Sequence, residues 1–245
     1  MLPSDLTTGP VRPLLRSIAL PAGIGMFCNT LFNLTDTFFA GQISTHAVAG
    51  LSIAFPVFFL ILATGAGLGT GTTALMANAL GAKKRDEARL LAAQAVSFAL
   101  LASVALTALG LVGAEPLFRF MGARGDYLET ALTYIRVIFY GAVFFLGCYS
   151  VNAGLVATGD TKTFRNVLAA GALLNVGLDP WFIHGGFGVP ALGLAGVAWS
   201  TILIQALTFG YMLTRSVRAG ILARDSWGML APRPAVYWAL FKQGA

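Results

Sequence analysis

From Leu14 onward the chain alternates between long apolar runs and short polar connections. Punctuated by Gly, Pro and charge, the runs predict six spanning helices at about Leu14–Gln42, Val48–Leu80, Leu90–Val112, Tyr127–Ala157, Asn166–His184 and Ala191–Thr214. About 20 apolar residues cross a hydrocarbon core of about 30 Å, and longer runs tilt or project beyond the bilayer. The expected fold is therefore an all-α membrane protein, a bundle of six transmembrane helices. Beyond Thr214 the chain is polar through Arg215 to Arg233, and a further amphipathic run begins at Pro234. The entry to the first helix, Pro13-Leu14-Leu15-Arg16-Ser17, is loosely echoed by Pro234 and by Leu240-Phe241-Lys242-Gln243. Transporters are commonly built from internal repeats. The echo divides the chain into a first unit at 1–222 and, at 223–245, a connection with the start of a second unit, as in a truncated protein.

Composition narrows the class. With 57% hydrophobic and 11% charged residues, the chain lacks the polar side chains to cover a soluble globule. A net charge of +6 suggests nucleic acid only if basic residues share one soluble face, and here they lie between spans. Their distribution sets the topology instead. Arg12, Arg16, Lys83, Lys84, Arg85, Arg89, Lys162, Arg165, Arg215, Arg218, Arg224, Arg233 and Lys242 flank one side, whereas Arg119 and Arg124 flank the other and Arg136 lies within the fourth helix. Short cytoplasmic loops carry the Lys and Arg excess, so both ends of this chain are expected in the cytoplasm of a multi-pass plasma-membrane protein, the bacterial inner membrane. Met1 to Pro13 is polar and Pro-punctuated, not a cleavable signal, so the first run stays as a helix.

Several motifs have plain readings. Cys28 and Cys148 lie inside spans as small packing residues and form no metal-ligand pattern. Gly65-Ala-Gly-Leu-Gly-Thr-Gly71 lacks the Gly-Lys-Ser/Thr ending of a phosphate loop. Its glycines, four apart in pairs, instead let helices approach closely or make the helix flexible. His46 and His184 fall at outer loop ends and carry no assigned role. No His/Cys cluster and no Ser-His-Asp or activated-Cys arrangement supports an enzyme.

The candidate chemistry lies inside the spans. Of ten acidic residues, only Asp36 and Asp179 fall away from loops and span ends. A carboxylate in hydrocarbon costs at least about 2.5–3.5 kcal/mol, so it faces a protein interior or watery cavity and marks an ion pathway. Asn29, Asn33 and Asp36 share one helix face at i, i+4 and i+7, and Asn175 and Asp179 share another at i and i+4. Both helices run outward from the cytoplasm, which puts the two carboxylates at similar depth and makes a common cavity possible. Pro180 frees the Val176 carbonyl one turn back, and Pro21 bends the first helix in the same way. Carboxylates, amides and a freed carbonyl make an all-oxygen set suited to Na⁺ or to a proton relay. The competing reading is a buried network that only fixes helix packing, which fits the asparagines equally well. In the fourth helix, Tyr134 and Arg136 fall near the outer interface by position, and Asn152 lies deeper as a candidate cavity liner.

Four segments carry a resemblance to a known family. These are Leu20-Pro21 with Asn33-Leu-Thr-Asp-Thr-Phe-Phe-Ala-Gly41, Gly81-Ala-Lys-Lys-Arg-Asp-Glu-Ala88, Gly154-Leu-Val-Ala-Thr-Gly-Asp-Thr-Lys162 and Asn175-Val-Gly-Leu-Asp-Pro180. Together they resemble the multidrug and toxic compound extrusion (MATE) transporters, in the DinF-like branch, over Leu14 to Leu222. The resemblance implies one lobe of a twelve-helix protein whose two bundles work by alternating access. It implies efflux of cationic amphipathic compounds against H⁺ or Na⁺, with no cofactor. It makes Asp36, Asn175 and Asp179 the ion-coupling residues, the only place for a possible Na⁺. Asn33, Tyr134 and Asn152 then line the lobe cavity, and Pro21 and Pro180 are helix kinks. The implied partners are organic cations, membrane lipid and a missing second lobe or a homodimer mate. Two other readings stand beside it, a flippase of lipid-linked substrates and a non-transporting membrane assembly module. A flippase wants a cationic cavity, for which Arg136 is the candidate.

Overall fold

The computed structural model describes residues 11–186, 188–222 and 228–244. Arg224, Asp225 and the polar amino-terminal stretch up to Pro10 lie outside the described residues. The helices are α1 (Val11–Ile43), α2 (Thr45–Gly81), α3 (Arg85–Phe120), α4 (Gly125–Tyr140), α5 (Ala142–Ala157), α6 (Lys162–His184), α7 (Leu194–Arg218) and α8 (Pro234–Gly244). Each expected run folds as helix, and the fourth is divided. α4 and α5 meet at Gly141 with a bend of 46°. The Phe139 carbonyl beside the bend is taken up by the Thr107 hydroxyl of α3 at 2.7 Å, as a backbone acceptor without water requires.

Burial has the sign expected in lipid. Val112 and Leu173 are 80% and 77% exposed, while Asp179, Asn175 and Gln94 are fully buried. Outward apolar side chains suit a surface of acyl chains, and a costly carboxyl or amide is tolerated inside the bundle. α2, α3, α6 and α7 are each long and apolar enough to cross a membrane, and the bent pair α4–α5 makes another such span. α1, with 33 residues at about 1.5 Å each, is also longer than the hydrocarbon core. The chain is a multi-pass membrane protein.

Two clusters of buried side chains hold the bundle together. One joins α2, α4 and α5 through residues such as Ile61, Ile135 and Leu146, with Phe58 and Phe145 edge to face at 5.2 Å. The other gathers Met76, Leu91, Val151, Leu155 and Met212 near the opposite end. The glycines of α2 serve two neighbours. Gly65 and Gly69 back onto Tyr149 of α5, and Gly67 and Gly71 lie against α8.

The basic connections converge at one end. Arg89 Nε donates to the Gly220 carbonyl at 3.2 Å, and Arg215 pairs with Asp160 at 3.3 Å. The α2–α3 and α5–α6 turns and the end of α7 therefore lie together, away from Arg119 and Arg124. Asp160 also anchors the start of α6, accepting from the Thr163 backbone N–H at 3.0 Å and its hydroxyl at 2.6 Å. Burial pushes the Asp160 carboxyl up, but the Thr163 hydroxyl and N–H and the Arg215 guanidinium outweigh it, leaving the group below its ordinary value. A depressed carboxyl stabilises the fold fully above its unfolded pKa of about 3.9, and that contribution is lost as pH falls through the lower folded value. Asp160→Ala is expected to cost about 1 kcal/mol of stability. In thermal unfolding of the purified protein, the gap between wild type and variant should hold from neutral pH down to about pH 5 and shrink below about pH 4. A gap independent of pH would refute the role of the charge.

Candidate functional site

The polar face of α1 meets that of α6 because the two helices run side by side in the same direction. Near the middle of α1 and the start of α6, a Cβ on Gly25 would lie 3.1 Å from Leu168 Cδ1 and 3.7 Å from the Arg165 backbone. Further along, Asn175 Nδ2 donates to Asp36 Oδ1 at 2.9 Å and to Asp179 Oδ1 at 3.0 Å. One amide nitrogen thus ties two buried carboxyl groups together. The hydroxyl of Ser200, on α7, is within hydrogen-bonding reach of both Asp179 Oδ1 and the Val197 carbonyl. Asn175 Oδ1 and Asp179 Oδ2 are buried and accept no hydrogen bond from the protein. The centre is therefore rich in oxygen acceptors and short of donors, a set that attracts a small cation or a proton.

Asp36 connects this interior to a cleft. The cleft, about 330 Å³, is lined by Asn33, Asp36, Thr37, Leu51, Ser52, Phe55, Phe58 and Tyr134 from α1, α2 and α4. Asn175 and Asp179 lie behind Asp36 and do not reach its wall. The lining has one carboxyl group, three aromatic rings and no basic side chain, a chemistry compatible with an apolar cation through charge and ring faces. No group of three or more His, Cys, Asp or Glu able to hold a metal occurs among the described residues.

Not every residue singled out in the sequence arrives at the cleft. Asn33 lines it and donates its side-chain amide to the Asn29 carbonyl at 2.8 Å, whereas Asn29 itself is exposed. Tyr134 is 2% exposed and lines the cleft, the side of the bundle that the resemblance implies and that its linear position did not suggest. It takes an inward face of α4 that linear position along a helix does not reveal. Asn152 is absent from the lining, and its Oδ1 is buried without a partner on α5. Arg136 is half-exposed, 3.9 Å from Glu115, and gives the cleft no positive charge. Pro21 and Pro180 lie within uninterrupted helices, as do Pro56 and Pro116.

Ser200, Thr37 and Ser52 carried no signal in the sequence. Single hydroxyls in spanning helices usually bond the carbonyl one turn back, as Thr37 does with Asn33 and Ser52 with Val48. Only packing distinguishes those that also face a carboxyl group or a cleft.

Comparison with known proteins bears on the family and the fold. A family model described as MatE matches residues 21–181. An FAD transporter of Shewanella oneidensis is 31% identical over 85% of this chain and 47% of its own length. A probable multidrug resistance protein NorM of Thermotoga maritima is 34% identical over 86% of this chain and 44% of its own length. The solved outward-facing structure of a multidrug resistance MATE family transporter of the MOP superfamily superposes with a TM-score of 0.86. It is 28% identical, and the match covers 98% of this chain and 52% of that one. The chain thus spans about half the length of the relatives it matches.

Proposed function

The chain belongs to the MatE family, and from that premise we propose that it forms one lobe of an ion-coupled exporter of cationic, amphipathic compounds. On this reading residues 1–222 are the lobe, and 223–245 are the connection and the start of the next unit. The basic end of the bundle faces the cytoplasm, with the protein in a bacterial inner membrane. A second lobe completes the transport path, and alternating access arises from movement between the two.

The observation that carries the proposal is the single Asn175 amide shared by Asp36 and Asp179, with Asp36 also facing the cleft. Two ionised carboxylates held by one nitrogen repel, by about 4 kcal/mol at 4 Å and an effective dielectric of 20. A proton or Na⁺ relieves that repulsion. An organic cation beside Asp36 draws on the same negative charge from the cleft side, so ion and drug compete for one carboxylate. Competition at a shared charge is what couples the return of the ion to export of the drug. The acidic, aromatic lining supports a cationic substrate over a pyrophosphate-linked lipid or another anion, which would need the basic groups the cleft lacks.

The test is efflux of a cationic dye from proteoliposomes containing the complete protein, under an imposed H⁺ or Na⁺ gradient. Efflux should follow one of the two gradients and collapse when that gradient is dissipated. Failure of both gradients to drive efflux in a correctly inserted protein would reject exchange. Loss of a membrane partner on deletion, with dye efflux unchanged, would favour the assembly-module reading.

A further inference from the structure

Two buried polar residues of α3 take no part in the ion site. Gln94 is fully buried and Ser97 is 7% exposed, both in the first half of the helix. An uncharged polar side chain in a spanning helix is costly unless its donors and acceptors are met. Gln94 meets all of them with the backbone of the segment that leads into α8. Its Nε2 donates to the Ala231 carbonyl at 2.8 Å and also to that of Met229, and its Oε1 accepts from the Arg233 N–H at 2.9 Å. The Ser97 hydroxyl donates to the Leu230 carbonyl at 2.7 Å, which leaves the Tyr237 hydroxyl, 2.6 Å away, to donate to Ser97. The Tyr237 ring packs on Phe98 with centroids 5.0 Å apart.

These contacts set the position of α8. Leu240 is fully buried, and a Cβ on Gly71 would lie only 2.6 Å from its carbonyl oxygen. Chain order assigns this segment to the connection and the next unit, but its hydrogen bonds belong to the first bundle. We propose that Gln94 and Ser97 form a clamp that makes Met229–Gly244 a fixed part of the first bundle. In a protein of the relatives' full length, the pivot between the units then lies beyond Gly244, and the polar connection is not a loose tether. The clamp acts on the side of α2 opposite Tyr149, so it also steadies the helix that supplies Leu51, Ser52, Phe55 and Phe58 to the cleft.

Hydrogen exchange of the 245-residue chain in lipid nanodiscs tests the clamp. In the wild type, the Arg233 amide should exchange about a hundredfold or more slower than an unprotected amide. Gln94→Leu should speed exchange across 229–237 by about tenfold or more, with α5 unchanged. Tyr237→Phe keeps the ring on Phe98 and removes only the hydroxyl contact, so its effect should be smaller and confined to the same stretch. Gly71→Ala should loosen 234–244 while the Arg233 amide stays protected, because it displaces α8 and leaves Gln94 in place. Unprotected exchange at Arg233 in the wild type would overturn the proposal without any variant. So would an unchanged 229–237 in a folded Gln94→Leu protein, which would mean that α8 packing alone holds the segment.

Discussion

Asp36→Asn in the complete protein is expected to reduce gradient-driven efflux about tenfold or more while leaving abundance and thermal stability near wild type. The asparagine keeps the shape of the side chain and an oxygen to accept from Asn175 Nδ2, which now bonds Asp36 at 2.9 Å. What it removes is the charge shared between the cleft and the buried pair. Asp179, fully buried behind Asn175, keeps its carboxyl group but no longer has an ionisable neighbour facing the cleft. Binding of ion and drug should then become independent, and the variant should bind a dye with an affinity insensitive to the driving ion. The measurement is dye efflux from proteoliposomes at matched protein density, with equilibrium dye binding in parallel. Undiminished efflux at wild-type abundance would remove Asp36 from the mechanism.

The second large effect is structural and lies one turn from Ser200. Gly196 sits where α7 crosses the end of α6, and a Cβ there would lie 2.6 Å from both the carbonyl carbon and oxygen of Phe182 and 2.9 Å from the Ile183 nitrogen. These are backbone atoms, so no side-chain rotation relieves the contact. Gly196→Ala should therefore push the two helices apart and cost about 1–3 kcal/mol, as overpacking in cores does. The shift should also carry the Ser200 hydroxyl away from Asp179, so ion dependence should weaken along with stability. Gly177→Ala is the internal control. It lies on α6 between Asn175 and Asp179, and its Cβ would meet nothing within 4 Å. There the substitution should be neutral or stabilise by up to about 1 kcal/mol through helix propensity. Thermal unfolding of both variants in detergent decides the matter. Equal midpoints would refute the close-packing argument for Gly196.

The sequence alone delimited the helical runs and the asymmetry of the basic connections, and it marked Asp36, Asn175 and Asp179 as intramembrane polar residues at similar depth. Span length, Lys and Arg placement and helical spacing are properties of the linear chain, and a buried carboxylate is costly enough to be conspicuous. The close-packing role of Gly65 to Gly71 was legible for the same reason, though the neighbours, Tyr149 on one side and α8 on the other, were not. Tertiary structure decided the rest. It turned Tyr134 into the cleft and left Asn152 out, because one residue along a helix rotates a side chain by about 100°. It broke the fourth span at Gly141, where Thr107 of another helix takes up the Phe139 carbonyl. It brought Ser200 to Asp179 and Gln94 to the segment before α8, across sequence separations of 21 and 135 to 139 residues. Periodicity fixes which face of a helix is polar, but the partner of an uncharged hydroxyl or amide is set only when the helices pack.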